Sequence, residues 1–201
     1  AYVLLGLVID KAAGRPYAEV FRQELLAPAG LTRTAVDDAA EVVPGRASGY
    51  SPSDKAASGF QNASFISMTY PGAAASLRST AQEICRWSDA LFGGRVIGPD
   101  SLKALTTPVR LPDGSLPTTP GGPPLVTPPR LAHWGLGVYV DADAHGPLIS
   151  HRGGIQGFIA YAASWPAADV HLAILVNVEG GPRLGAGIGA LHAAMVSAAF
   201  A

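Results

Sequence analysis

The period of the hydrophobic pattern switches once along this chain of 201 residues, and no other feature restricts its fold as strongly. Before residue 107 apolar side chains return at helical spacing, first Val3, Leu4, Leu7 and Val8, then Val20, Phe21, Leu25 and Leu26. After residue 131 they alternate, which is the period of a strand with one buried face. Residues 135–140, 148–151, 158–165 and 170–177 read as strands. Pro166-Ala167-Ala168-Asp169, of hairpin length, joins the last two. A closing helix over 183–200 places Leu184, Ile188, Leu191 and Met195 on its apolar side. Helices, then consecutive antiparallel strands, then a helix packed on the sheet specify an α+β fold.

Local signals set the helix limits. Gly14 stands where a left-handed residue ends a first helix, Pro16 suits the start of a second over 17–26, and Pro28 and Gly30 stop it. From Thr32 to Tyr70 periodicity fades into a surface excursion or a loop over a site. Thr80 followed by Glu83 has the capping-box pattern, opening a helix to Phe92 with Ile84, Trp87, Ser88 and Leu91 on one stripe. Pro99-Asp100 starts a short helix through Leu102 and Leu105. Residues 108–130 hold eight prolines in 23 positions and read as an irregular arm. One domain part is expected: a mainly helical and loop region over 1–107, the arm over 108–130, and strands with the closing helix over 131–201.

Composition removes several function classes. Charged residues are 14% and the formal net charge is -1, with no block of like charge to recruit nucleic acid. The longest apolar runs, such as 172–176, are far shorter than the ~20 residues of a transmembrane segment. One cysteine, Cys85, excludes an internal disulfide and leaves the compartment open; mid-helix beside Ile84 and Trp87, it reads as a structural thiol. The chain opens on Ala1 and an apolar segment, with no basic leader, and looks cut from a longer one.

Among five histidines no pair has metal-binding spacing and no acidic cluster accompanies them, so neither a metal nor an organic cofactor is expected. His151 differs by its context, His151-Arg152-Gly153-Gly154-Ile155-Gln156-Gly157-Phe158, at the end of a predicted strand. Glycines beside a strand leave backbone N–H groups uncovered, free to donate to a developing oxyanion, and the imidazole could bind a carboxylate or assist proton transfer. From the residues alone, a glycine-rich turn with a solvated histidine is the reading the spacing favours. Neither G-x-S-x-G nor S-x-x-K occurs, so these residues contain no complete nucleophilic machine. Trp134, next to Gly135-x-Gly137, reads as a core aromatic or a part of the site.

Several segments together resemble the C-terminal two thirds of the penicillin-recognising serine hydrolases. The branch most similar holds class C beta-lactamases, D-alanyl-D-alanine peptidases and beta-lactamase-like esterases. Residues 1–10, with Gly14-Arg15-Pro16-Tyr17, look like the helix after the family's Tyr-x-Asn motif. Pro28-Ala29-Gly30-Leu31-Thr32-Arg33-Thr34 resembles P-L-G-M-x-x-T, and Leu77-Arg78-Ser79-Thr80-Ala81-Gln82-Glu83-Ile84 resembles L-x-S-T-A-x-D-L. His151-Arg152-Gly153, with Gly157-Phe158 after it, is similar to the H-x-G form of the third motif.

The resemblance implies a serine hydrolase working through an acyl-enzyme on an ester, amide or beta-lactam bond of a small-molecule or peptide substrate. It implies that His151 contacts the substrate's carboxylate side or supports the motif tyrosine, and that the Gly154 N–H is an oxyanion donor. Gly153 would let substrate lie along the strand, and the edge through Ile155 and Gln156 would pair with its acyl part. The motif serine, lysine, tyrosine and asparagine are absent, and a missing N-terminal part of the same chain is expected to carry them, so the 201 residues alone should be inactive. A non-catalytic relative binding peptide or glycan in the same groove is the alternative. Departures are Ala29 for leucine, Ala75-Ser76 for a glycine pair, and histidine for lysine in the third motif, which leans toward esterases or peptidases.

Overall fold

A computed structural model describes the backbone of residues 1–201 and every side chain except that of Pro182. Helix α1 (Tyr2–Ala13) ends at Gly14, whose φ of 66° lets its N–H reach Asp10 O at 3.0 Å. Helix α2 (Tyr17–Val20) runs into a π-helical turn, Phe21–Leu26, so the expected single helix keeps its span and widens in its second half. There the Ala27 N–H reaches back to Arg22 O at 3.0 Å, and Phe21 packs on Trp87 with ring centroids 6.4 Å apart.

The excursion after Thr32 is tied down by short pairs. Strand β1 (Ala35–Val36) pairs with β4 (Leu77–Arg78), and β2 (Tyr50–Pro52) with β3 (Phe60–Asn62). Helix α3 (Ala81–Phe92) starts on Thr80, whose side chain accepts from the Glu83 N–H at 3.2 Å. The other half of the expected capping box is not made. Glu83 turns its carboxylate inward instead, accepting from the Thr32 and Arg33 N–H groups at 2.9 Å and the Thr34 hydroxyl at 2.6 Å. Three donors, the Thr34 hydroxyl among them buried, outcompete the single Thr80 N–H. Helix α4 (Pro99–Thr106) follows.

The main sheet has six strands: β5 (Thr118–Gly121), β6 (Arg130–Trp134), β7 (Tyr139–Asp143), β8 (Gly146–Ile155), β9 (Phe158–Trp165) and β10 (Val170–Val176). Each pairs antiparallel with its sequence neighbour, and β5 and β10 form the edges. The expectation of an irregular arm is corrected by β5, which pairs despite Pro120 because an edge strand tolerates a missing N–H. The expected strand over 135–140 is corrected too. The chain reverses there, Gly135 N–H to Val138 O at 2.8 Å, with Gly137 at φ 80°. Gly135 is required, since a Cβ would lie 2.3 Å from Leu105 O.

Helix α5 (Pro182–Ala199) covers one face of the sheet. The core there holds Leu148, Tyr161, Ala163, Trp165, Leu172 and Ile174, with Met195, Val196 and Phe200 against it. Leu191, expected inside, is 48% exposed, because Ile188, Met195 and Val196 define the buried stripe. Helix α3 meets β10 on its other side, where the Cys85 thiol donates to His171 O at 3.6 Å and Phe92 stacks on His171. Burial pushes the Cys85 pKa up, which fits an inert thiol.

One element is uncovered. Leu4, Leu7 and Val8 of α1 are 65%, 59% and 59% exposed, and Gly6 is its buried residue, against Ala73. Each such side chain forgoes about 1.5–3 kcal/mol of burial. The purified 201-residue chain should therefore self-associate in size-exclusion chromatography. Leu4→Ser with Leu7→Ser should move it toward the monomer without changing its circular dichroism. A monomeric wild-type chain would contradict this reading of α1.

Candidate active-site strand

Strand β8 is paired unequally. Its ladder with β7 stops at Ser150 opposite Tyr139, whereas its ladder with β9 continues to Ile155 opposite Phe158. Residues 151–155 thus carry a neighbour on one side and an unpaired edge on the other. The expected end of the strand at His151 is corrected accordingly, because Gly153 and Gly154 stay extended against Ala160 and Ile159.

The glycines differ in what they permit. A Cβ on Gly153 would meet nothing within 4 Å, and one on Gly154 only Phe158 O at 3.8 Å, so the space along the strand is open. Gly157, at φ 80°, is crowded: a Cβ there would lie 2.7 Å from Gly49 Cα and from Ala63 Cβ. The turn holding Gln156 is thereby locked against the start and end of the β2–β3 hairpin. Asn177 adds a tie from the sheet, its side-chain amide donating to Ser48 O at 2.9 Å. The excursion flanks one end of the open strand.

His151 lies among aromatic rings. Tyr139 stacks on it, centroids 5.3 Å apart and planes within 9°, and Trp134 sits 6.3 Å away, tilted. Though the residue reaches the surface, this desolvation lowers the imidazole pKa, and the neighbouring Arg152 charge lowers it further. Near neutral pH the ring is uncharged, a hydrogen-bonding group rather than a cation. Trp134, left open by its sequence context, thus belongs beside His151. Tyr139 carried no sequence signal, being one apolar position of a misread strand.

A cleft of about 290 Å³ runs beside the unpaired edge, lined by Pro124, Leu125, Tyr139, Arg152, Gly153, Gly154 and Ile159. The arm supplies its outer wall. Leu125, at φ 63°, is wedged on α5, where a Cβ on Gly185 would lie 2.3 Å from Leu125 O. Of the sequence candidates, Gly153 and Gly154 line this cleft. His151 sits beside Tyr139, Ile155 ends the strand, and exposed Gln156 lies in the turn.

Folding also corrects the expectation that no acidic cluster accompanies a histidine. Asp89 of α3 and Asp169 of the β9–β10 turn come together with His171 of β10, their ligating atoms all within 4.8 Å of one another. Asp89 lies about eighty positions upstream of the other two, so the trio leaves no spacing signal. No helix of the described residues is long and apolar enough to cross a membrane.

The same fold occurs in known enzymes. A D-stereospecific amidohydrolase from Streptomyces sp. is 26% identical with a TM-score of 0.68, over 88% of this chain and 48% of that one. A D-amino acid amidase from Ochrobactrum anthropi SV3 is 23% identical with a TM-score of 0.71, over 90% and 49%. A penicillin binding protein from Bacillus halodurans is 18% identical with a TM-score of 0.69, over 94% and 53%. The chain spans about half the length of these solved relatives, less than the two thirds its motifs suggest. No curated protein matches it. The family model for beta-lactamase matches residues 1–194, nearly the whole sequence, and the chain belongs to the beta-lactamase family of serine hydrolases.

Proposed function

We propose that the full-length protein hydrolyses an ester, amide or beta-lactam bond through an acyl-enzyme, and that these residues supply the C-terminal part of that one catalytic domain. The unpaired edge of β8 over 151–155 carries the reading, because it offers an extended acyl group a strand to pair with, beside an open cleft. Similarity to a D-stereospecific amidohydrolase favours an amide bond, cleaved with D-stereospecificity, within that set.

In this reading the Gly154 N–H stabilises the developing oxyanion, and Gly153 leaves room for substrate along the strand. Ile155 and Gln156 continue the edge that holds its acyl part. His151, uncharged, donates a hydrogen bond to the substrate's carboxylate side or to a phenolic oxygen beside it. The serine nucleophile lies outside the 201 residues, which alone turn nothing over. The second reading is a non-catalytic groove that binds peptide or glycan along the same edge. The upstream gene sequence separates the two.

The test is turnover of ester, D-amino acid amide and beta-lactam substrates by the complete gene product. His151→Ala should lower kcat about 10²–10³-fold, the range for losing a positioned hydrogen-bonding group. Because its pKa is lowered, the acid limb of kcat/KM should fall below the ordinary histidine value of about 6.5 and disappear in the variant. Hydrolysis by the 201-residue chain, abolished by His151→Ala, would overturn the proposal.

A further inference from the structure

A buried histidine ring normally finds hydrogen-bond partners for its nitrogens. His171 does not. Its side chain is only 8% exposed, its Nδ1 is buried without a partner, and its Nε2 is 3.6 Å from Asp169 Oδ1, beyond hydrogen-bond length. The ring is held by stacking on Phe92, centroids 6.0 Å apart. Facing it are two carboxylates that can adjust, since Asp169 is 90% exposed and Asp89 51% exposed. Asp89 spends Oδ2 on Arg95 at 2.6 Å, which leaves its other oxygen for a ligand.

Nε2, the nitrogen nearer Asp169, as one fixed donor together with two movable oxygen donors suits a particular ion class. Imidazole with carboxylates favours zinc and its first-row neighbours, whereas magnesium and calcium prefer oxygen alone. Ligand bonds of about 2.0–2.2 Å require the three donors to close in slightly from their present spacing, which two exposed side chains do without disturbing the core. We propose that Asp89, Asp169 and His171 form a binding site for a divalent transition ion of the zinc class, which clamps the β9–β10 turn to α3. The site lies at the opposite end of β9 from Gly157, roughly 25 Å along the strand at about 3.3 Å per residue, so it is separate from the candidate substrate edge. Its role is to fasten elements that otherwise meet through side-chain packing and the hydrogen bond from the Cys85 thiol to His171 O.

The test uses the chelator-treated protein, with zinc chloride or magnesium chloride added, followed by calorimetric titration and thermal unfolding. Zinc at a hundredfold excess over its Kd should raise Tm by about 5 °C, and magnesium should not. Replacing His171 could unfold the region, so exposed Asp169 decides the matter. Asp169→Asn keeps a residue that tolerates the φ of 54° at this position, and should leave the metal-free Tm unchanged while weakening zinc at least tenfold. Asp89→Asn should weaken it likewise. A wild-type Tm unmoved by zinc overturns the proposal, as does zinc affinity retained in Asp169→Asn, which would place the ion on other histidines.

Discussion

Gly153→Val should leave the 201-residue chain as stable as before and cost the full-length enzyme about a hundredfold in kcat/KM. Both halves follow from one geometric fact. A Cβ at this position meets nothing within 4 Å, its φ is not in the left-handed region, and valine suits an extended strand. Folding therefore loses nothing, and ΔG of unfolding should stay within about 0.5 kcal/mol, as for an exposed substitution. The same branched side chain would occupy the space along the edge, and displacing a bound substrate by about 1 Å costs on the order of 10² in rate. Urea unfolding of the chain and steady-state kinetics of the whole protein read the two halves separately. Undiminished activity would mean that substrate does not run along β8. A large loss of stability would mean that the space is filled by packing.

The largest stability effect should come from Glu83→Ala. Glu83 is only 2% exposed and pins residues 32–34 to α3. Burial alone would raise its pKa, but the Thr34 hydroxyl and the Arg33 and Thr32 N–H groups outweigh it and hold the carboxyl below its ordinary value. Alanine removes the acceptor of one buried and two part-buried donors, at up to about 1–3 kcal/mol each before relaxation and rehydration, so a net loss of about 3 kcal/mol is expected. In urea the midpoint should fall with the slope unchanged. Acid should narrow the gap between the two proteins. A lowered folded-state pKa contributes stability in full above the unfolded value of about 4.3, and that contribution is lost as pH falls through the folded one. A gap that stays constant down to strongly acidic pH would show that the charge contributes nothing.

What could be read from the sequence was whatever a few neighbouring residues decide. The β9–β10 hairpin, the Thr80 start of α3 and the Gly14 end of α1 follow from alternation, an N-cap and a left-handed glycine, each a short-range effect. Elements failed where a distant partner overrode local character. Proline should have kept 108–130 irregular, yet β5 finds β6, and Leu125 is wedged against α5. Glu83 abandoned its capping role for donors some fifty positions upstream. The motif around His151 marked the strand, but its unequal pairing, the Tyr139 ring and the Asp89–Asp169–His171 grouping arise only from packing. Spacing along a chain cannot report which loops meet in space.

The order of the main sheet has a consequence for how it assembles. Every ladder from β5 to β10 joins neighbours in sequence, so each closes over a short connection and none waits for a remote segment. Such local closure is entropically cheap and makes for rapid folding. The Glu83 tether, spanning about fifty residues, belongs to a slower, later event. During synthesis the strand for substrate would thus form before α5 exists to cover the back of the sheet. The interval between those two events is when β8, bare along half of one side, is most open to mispairing with another nascent copy.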